Sequence, residues 1–124
     1  MTPEEKTVRE FVSTFNRSEL DAFVALLDPE VEIHGMRGTR KGRDEAREWA
    51  TKTPGGVQQT VLIQSCEQAG DRVLMNVKRE WRWEEDNELA YVDELAWLFQ
   101  LRETKVLSWQ PFEDNEKARV AFTA

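Results

Sequence analysis

The sequence predicts an α+β domain, with helices in its first half and antiparallel strands in its second. Two observations predict it. As far as Lys52, apolar residues recur mostly at helical spacing, whereas from Val57 the period becomes two and stays so to Phe112. In that second part Gly70-Asp71, Glu84–Asn87 and Glu103-Thr104 divide the chain into four strand-length runs. Links this short join antiparallel neighbours, since a parallel crossover needs a dozen residues or more.

The first helix is announced by Thr2-Pro3-Glu4-Glu5: Thr2 caps, Pro3 suits the first helical position, and Glu5 is the acid of a capping box. Val8, Phe11, Val12 and Phe15 then form one apolar stripe. Asn16-Arg17 interrupts it, and Ser18 with Asp21 repeats the capping signal. A second helix turns Leu20, Phe23, Val24, Leu26 and Leu27 inward and stops at Asp28-Pro29. Val31–His34 reads as a short strand, followed by a loop punctuated by Gly35, Gly38 and Gly42. Arg43–Lys52 is a third helix with Ala46, Trp49 and Ala50 on one side, and Thr53–Gly56 is a loop. The strands are Val57–Gln68, Arg72–Trp83, Leu89–Leu101 and Lys105–Phe112, with the helices as lids on one face. Asn115–Ala124 reads as a tail, one turn of helix covering an edge.

At 124 residues the chain is one domain, and 40% hydrophobic with 33% charged residues is the balance of a globular one. A net charge of −7 disfavours nucleic acid and anionic membranes, which call for a basic face. MTPEEK carries no apolar core of a signal peptide, no eighteen apolar residues run together, and Cys66 has no second cysteine to pair with; the expectation is a cytoplasmic protein. Neither a glycine-rich nucleotide loop nor a G-x-S-x-G turn occurs. His34 is the single histidine, so no metal or other cofactor is expected.

The informative residues are charges on apolar faces. The odd positions of Leu89–Leu101 are large and apolar except Asp93, and those of Arg72–Trp83 are apolar except Arg79. A hairpin centred on Asp86 keeps both apolar faces together and sets Arg79 opposite Asp93, Trp81 opposite Tyr91, and Trp83 opposite Leu89. The pair is open to two readings. It is a satisfied structural ion pair, or it is the polar floor of an aromatic pocket in which Arg79 polarises a ligand oxygen. His34, where a strand meets the glycine-rich loop, is a hydrogen-bonded structural residue or a base suited to neutral pH. Arg37, Arg40, Lys41 and Arg43 form a solvated basic face or attract an anionic ligand to a pocket entrance. The other face of Leu89–Leu101, with Ala90, Val92, Ala96 and Leu98, predicts a homodimer that covers it.

Three stretches, FNRSELDAFVALLDPEVEIHG, GRDEAREW and WLFQLRETKVLSWQPFED, resemble the second helix and first strand, the third helix and the closing hairpin of the NTF2-like superfamily, specifically its SnoaL-like branch. The resemblance covers residues 4–114. It implies a cone: a curved antiparallel sheet with three helices from the N-terminal half packed on its concave face. Members include ketosteroid isomerases, polyketide cyclases and limonene epoxide hydrolases. Laid against the isomerases, the base position falls on His34, whereas their two oxyanion donors fall on Phe11 and Trp97. Neither of those two residues supplies the expected hydroxyl or carboxyl, which speaks against an isomerase. The hydrolases use an Arg with two Asp residues, of which only Arg79 and one Asp, Asp93, are found on the apolar face; cyclase chemistry needs an acid/base that His34 or Asp93 could supply. Two functions follow. One is cofactor-independent acid/base chemistry on a small hydrophobic cyclic molecule, catalysed by His34, Asp93 and Arg79 and walled by Phe11, Phe15, Trp49, Trp81, Tyr91, Trp97 and Trp109. The other is a non-catalytic ligand cavity or a dimerising accessory domain.

Overall fold

The computed structural model describes residues 1–35, 37–51 and 55–124. Its elements are α1 (Pro3–Asn16), α2 (Leu20–Ala25), β1 (Leu27–Gly35), β2 (Gly38–Lys41), α3 (Gly42–Thr51), β3 (Val57–Ala69), β4 (Arg72–Trp83), β5 (Leu89–Arg102), β6 (Lys105–Phe112) and α4 (Asn115–Thr123). The expected end of the third helix at Lys52 and the Thr53-Pro54 part of its loop lie outside the described residues. No helix among the described residues is long and apolar enough to cross a membrane.

Helix α1 begins where the capping signal places it. Thr2 is extended, and its Oγ1 accepts the Glu5 N–H at 3.1 Å. A fourteen-residue helix is marginal alone, so the buried face of Val8, Phe11 and Val12 is what holds it to the sheet. Each such side chain removed from water contributes roughly 1.5–3 kcal/mol. At its far end the Asn16 amide acts as a one-residue strand: it donates to the Val61 carbonyl and accepts the Val61 N–H, both at 2.8 Å.

Helix α2 departs from expectation at both ends. Ser18 sits at φ 54° and does not cap; Glu19 is the N-cap, without a side-chain bond to the helix. The helix stops at Ala25, ahead of Asp28-Pro29, because Leu27 already lies beside β6, where it pairs with Val106. The Leu27 carbonyl is held by Arg43, at 2.9 Å from Nε and 2.7 Å from Nη2.

The six strands make one curved, unclosed sheet in the order β2-β1-β6-β5-β4-β3. All neighbours are antiparallel except β1 and β6, which run parallel, so the sheet is mixed. Residues 38–41, expected as loop, form β2, which pairs antiparallel with β1 from Gly35 opposite Gly38 to Glu32 opposite Lys41. On the inner face Phe11, Phe23, Ile33, Val77, Trp97 and Phe99 are buried. The rings of Phe11 and Phe99 meet edge-on at 5.1 Å.

The outer face is partly covered by the chain itself. Residues 115–123 form the nine-residue helix α4, capped by Asp114, where the sequence suggests a single turn. Ala118 and Phe122 bury against Leu74 and Ala96, with Leu98 and Phe112 beside them. Arg72 fixes the helix end by donating to the carbonyls of Ala121, Phe122 and Ala124. Ala96 and Leu98, expected under a second subunit, are thus under α4.

Candidate functional site

The register of β4 and β5 brings Arg79 and Asp93 directly opposite each other, with Trp81 opposite Tyr91 and Val77 opposite Leu95. A bulge after Trp81 then pairs Arg82 with Leu89, so Trp83 and Leu89 do not face each other as the sequence predicts; both are half exposed. Arg79 Nε donates to Asp93 Oδ1 at 2.9 Å and Nη2 donates to Oδ2. This fork leaves Asp93 with both oxygens engaged. The Arg79 guanidinium also lies over the Trp81 ring, 5.3 Å from its centroid.

Beside this pair the inner face opens into a recess of about 350 Å³, near the lower end of small-molecule pockets. Helices α1 and α3 contribute Phe15 and Trp49, β4 contributes Arg79 and Trp81, β5 contributes Leu95 and Trp97, and β6 contributes Trp109 and Pro111. Gln59 of β3 joins them, an inward polar residue opposite Trp81. The mouth is formed by Gly35, Arg37, Gly38 and Arg40. Trp49 and Trp109 tilt against each other at 4.8 Å, and Trp97 meets Trp109 edge-on at 5.2 Å. The Trp49 indole packs beside Gly35, where an added Cβ would make an ordinary van der Waals contact with Nε1 at 3.5 Å.

Five of the expected contact residues therefore line one recess: Phe15, Trp49, Trp81, Trp97 and Trp109. Four other expected site residues lie outside its lining. Phe11 is fully buried among Phe23, Trp97 and Phe99. Tyr91 is 61% exposed at the hairpin end. Asp93 stands behind Arg79. His34 alternates with the buried Val31 and Ile33, and so turns to the other side of β1. Its Nδ1 lies 3.1 Å from Thr39 Oγ1, its partner on β2, and its Nε2 lies 3.8 Å from Glu32. The register that turns His34 away pairs Ile33 with Arg40 and brings Arg40 to the recess. Of the basic cluster, Arg37 and Arg40 reach the mouth, whereas Arg43 serves the Leu27 carbonyl.

Gln59, Leu95 and Pro111 are lining residues that the sequence does not single out. Gln59 carries a signal of the same kind as Arg79, a polar residue at an inward strand position. Of the four basic residues expected either on a solvated face or at a pocket entrance, the pairing of β2 with β1 puts Arg37 and Arg40 in the recess lining.

A curved sheet with helices on its inner face and an aromatic recess at its open end defines an NTF2-like domain. The chain belongs to the SnoaL-like domain family, whose model matches residues 8–109. Solved structures share the fold at low identity. An NTF2-like protein of unknown function from Burkholderia pseudomallei is 20% identical, with a TM-score of 0.78 and 100% of both chains covered. TerC co-crystallised with polyporic acid is 16% identical at a TM-score of 0.77, covering 99% of this chain and 100% of that one. An LEH-like epoxide hydrolase from Mycobacterium tuberculosis is 14% identical at 0.77, covering 98% and 90%. None of the curated proteins matches the sequence.

Proposed function

We propose that this SnoaL-like domain binds a small, flat, largely apolar cyclic molecule in the recess between α3 and the inner face of β4–β6. The observation that carries the reading is the wall: four indoles and Phe15 around about 350 Å³. Aromatic walls reward stacked rings, and a pocket of this size suits two or three fused or linked rings. A relative of the same fold co-crystallised with polyporic acid is consistent with this use of the fold. The ionisable side chains of the described lining are Arg37, Arg40 and Arg79, which donate hydrogen bonds and do not accept protons near neutral pH. This favours recognition over proton transfer.

Cofactor-independent acid/base catalysis is the second reading, favoured by the Arg79–Asp93 fork. Arg79 would polarise a ligand oxygen while Asp93 orients it. Self-association belongs to the proposal too, through the strip of the outer face around Ala90 and Val92, beyond the residues buried under α4.

Tryptophan fluorescence and thermal melts with naphthalenes, biphenyls, anthraquinones and steroids test the binding reading. The expected outcome is quenching with a rise in Tm for at least one ring class, lost in Leu95→Phe, which adds bulk to the recess. Indifference of both signals to the whole panel would remove the reading.

A further inference from the structure

We infer that the recess selects an anionic ring compound, an aromatic carboxylate or an acidic enol, with its charged group held at the Arg37–Arg40 mouth. The inference rests on the binding reading above and adds the charge of the ligand. The protein carries −7 overall, yet its described recess lining holds three arginines and no carboxylate. Arg79 is already forked onto Asp93, so its charge is locally balanced. Arg37 and Arg40 are not; neither side chain makes a hydrogen bond or ion pair with any described residue, and both line the mouth. Positive charge gathered over a low-dielectric aromatic wall on an acidic body concentrates anions at that one place.

Hydrogen-bonding chemistry points the same way. Guanidinium and indole groups donate only, so apart from Gln59 the polar side chains of the lining offer donors without acceptors. The complementary ligand is rich in acceptors, which an ionised acid or enolate is and an ammonium group is not.

The test compares matched acid and amide pairs: 2-naphthoate with 2-naphthamide, and biphenyl-4-carboxylate with biphenyl-4-carboxamide. Affinities are measured calorimetrically on the full chain, at low and high salt. The acid of at least one pair is expected to bind about tenfold tighter than its amide at low salt, with the preference shrinking as salt screens the mouth. In Arg37→Gln/Arg40→Gln, checked by its melting curve to be folded, the ratio should fall toward one. Acid and amide binding equally would overturn the charge selection and leave the binding reading standing. So would a preference that survives the double substitution undiminished. Failure of all four compounds to bind would also overturn the charge selection, whereas the binding reading falls only if the wider ring panel is silent as well.

Discussion

Replacing Asp93 by Ala strips the Arg79 guanidinium of its fork while leaving it on a face where the two side chains are only 20% and 19% exposed. Breaking a fully buried pair costs about 3–5 kcal/mol, and this partial exposure reduces the expected loss to about 1–3 kcal/mol. Arg79→Met/Asp93→Leu should recover most of that loss, because two apolar side chains need no partner on a sheet lined by Val77, Leu95 and Trp81. Denaturant unfolding of the single and double variants reads both numbers. A double variant as unstable as Asp93→Ala would mean that the pair itself, rather than the absence of an orphaned charge, is what the fold requires. At this scale the pair was legible in the sequence because two odd residues shared one periodicity. The outward turn of His34 was not, since a short strand followed by glycines does not reveal which side of the sheet its last residues face.

Among the elements, β4 and β6 have the bounds that periodicity predicts, because a mainly two-residue period sets their faces and turn residues next to them set their length. Three features escaped the pattern. The hairpin that forms β2 has four residues and almost no apolar content, α2 starts without the serine cap, and α4 is amphipathic only in relation to a sheet face far away in sequence. The β5–β6 turn shows local chemistry overridden by its setting. Glu103 and Thr104 hold φ values of 50° and 64°, which suit Asn-Gly and are uncommon for a β-branched residue. The turn is kept by its strands and by Thr7, whose hydroxyl donates to the Thr104 carbonyl at 2.8 Å. That bond uses only the backbone of Thr104 and survives removal of the Thr104 side chain. Thr104→Gly should therefore stabilise the protein by about 1 kcal/mol, a rise in Tm of about 3–5 °C, read by calorimetry. A fall in Tm would show that the Thr104 side chain contributes more than its backbone strain costs.

For the molecule as a whole, acid sensitivity centres on the place where β1 starts beside the end of β5. Arg102 forks onto Asp28, with Nε to Oδ2 at 3.0 Å and Nη2 to Oδ1 at 2.7 Å, and also reaches Glu30 at 2.9 Å. The Arg102 bonds first, and the Glu30 N–H after them, hold the Asp28 carboxyl below the ordinary carboxylate value. A carboxyl depressed in the folded state adds stability that is present above its unfolded pKa of about 3.9 and is lost as the pH falls below it. Asp28→Asn should lower Tm at neutral pH. Its curve should converge on that of the unmodified protein as the pH drops from about 5 toward 3. A constant offset across that range would exclude Asp28 as a source of the acid dependence.

The parallel contact between β1 and β6 carries a consequence for the order of assembly. The β3–β6 meander can form from hairpins close in sequence, whereas β1 meets β6 through pairs such as Ile33 with Trp109. Contacts that close so long a stretch of chain form slowly and late. The recess takes Phe15 and Trp49 from the early half and Trp97 and Trp109 from the late half, so it exists only once that closure is made. A molecule lodged there would recognise only the completed chain, drawing the folding equilibrium toward it and slowing the reopening of its two halves.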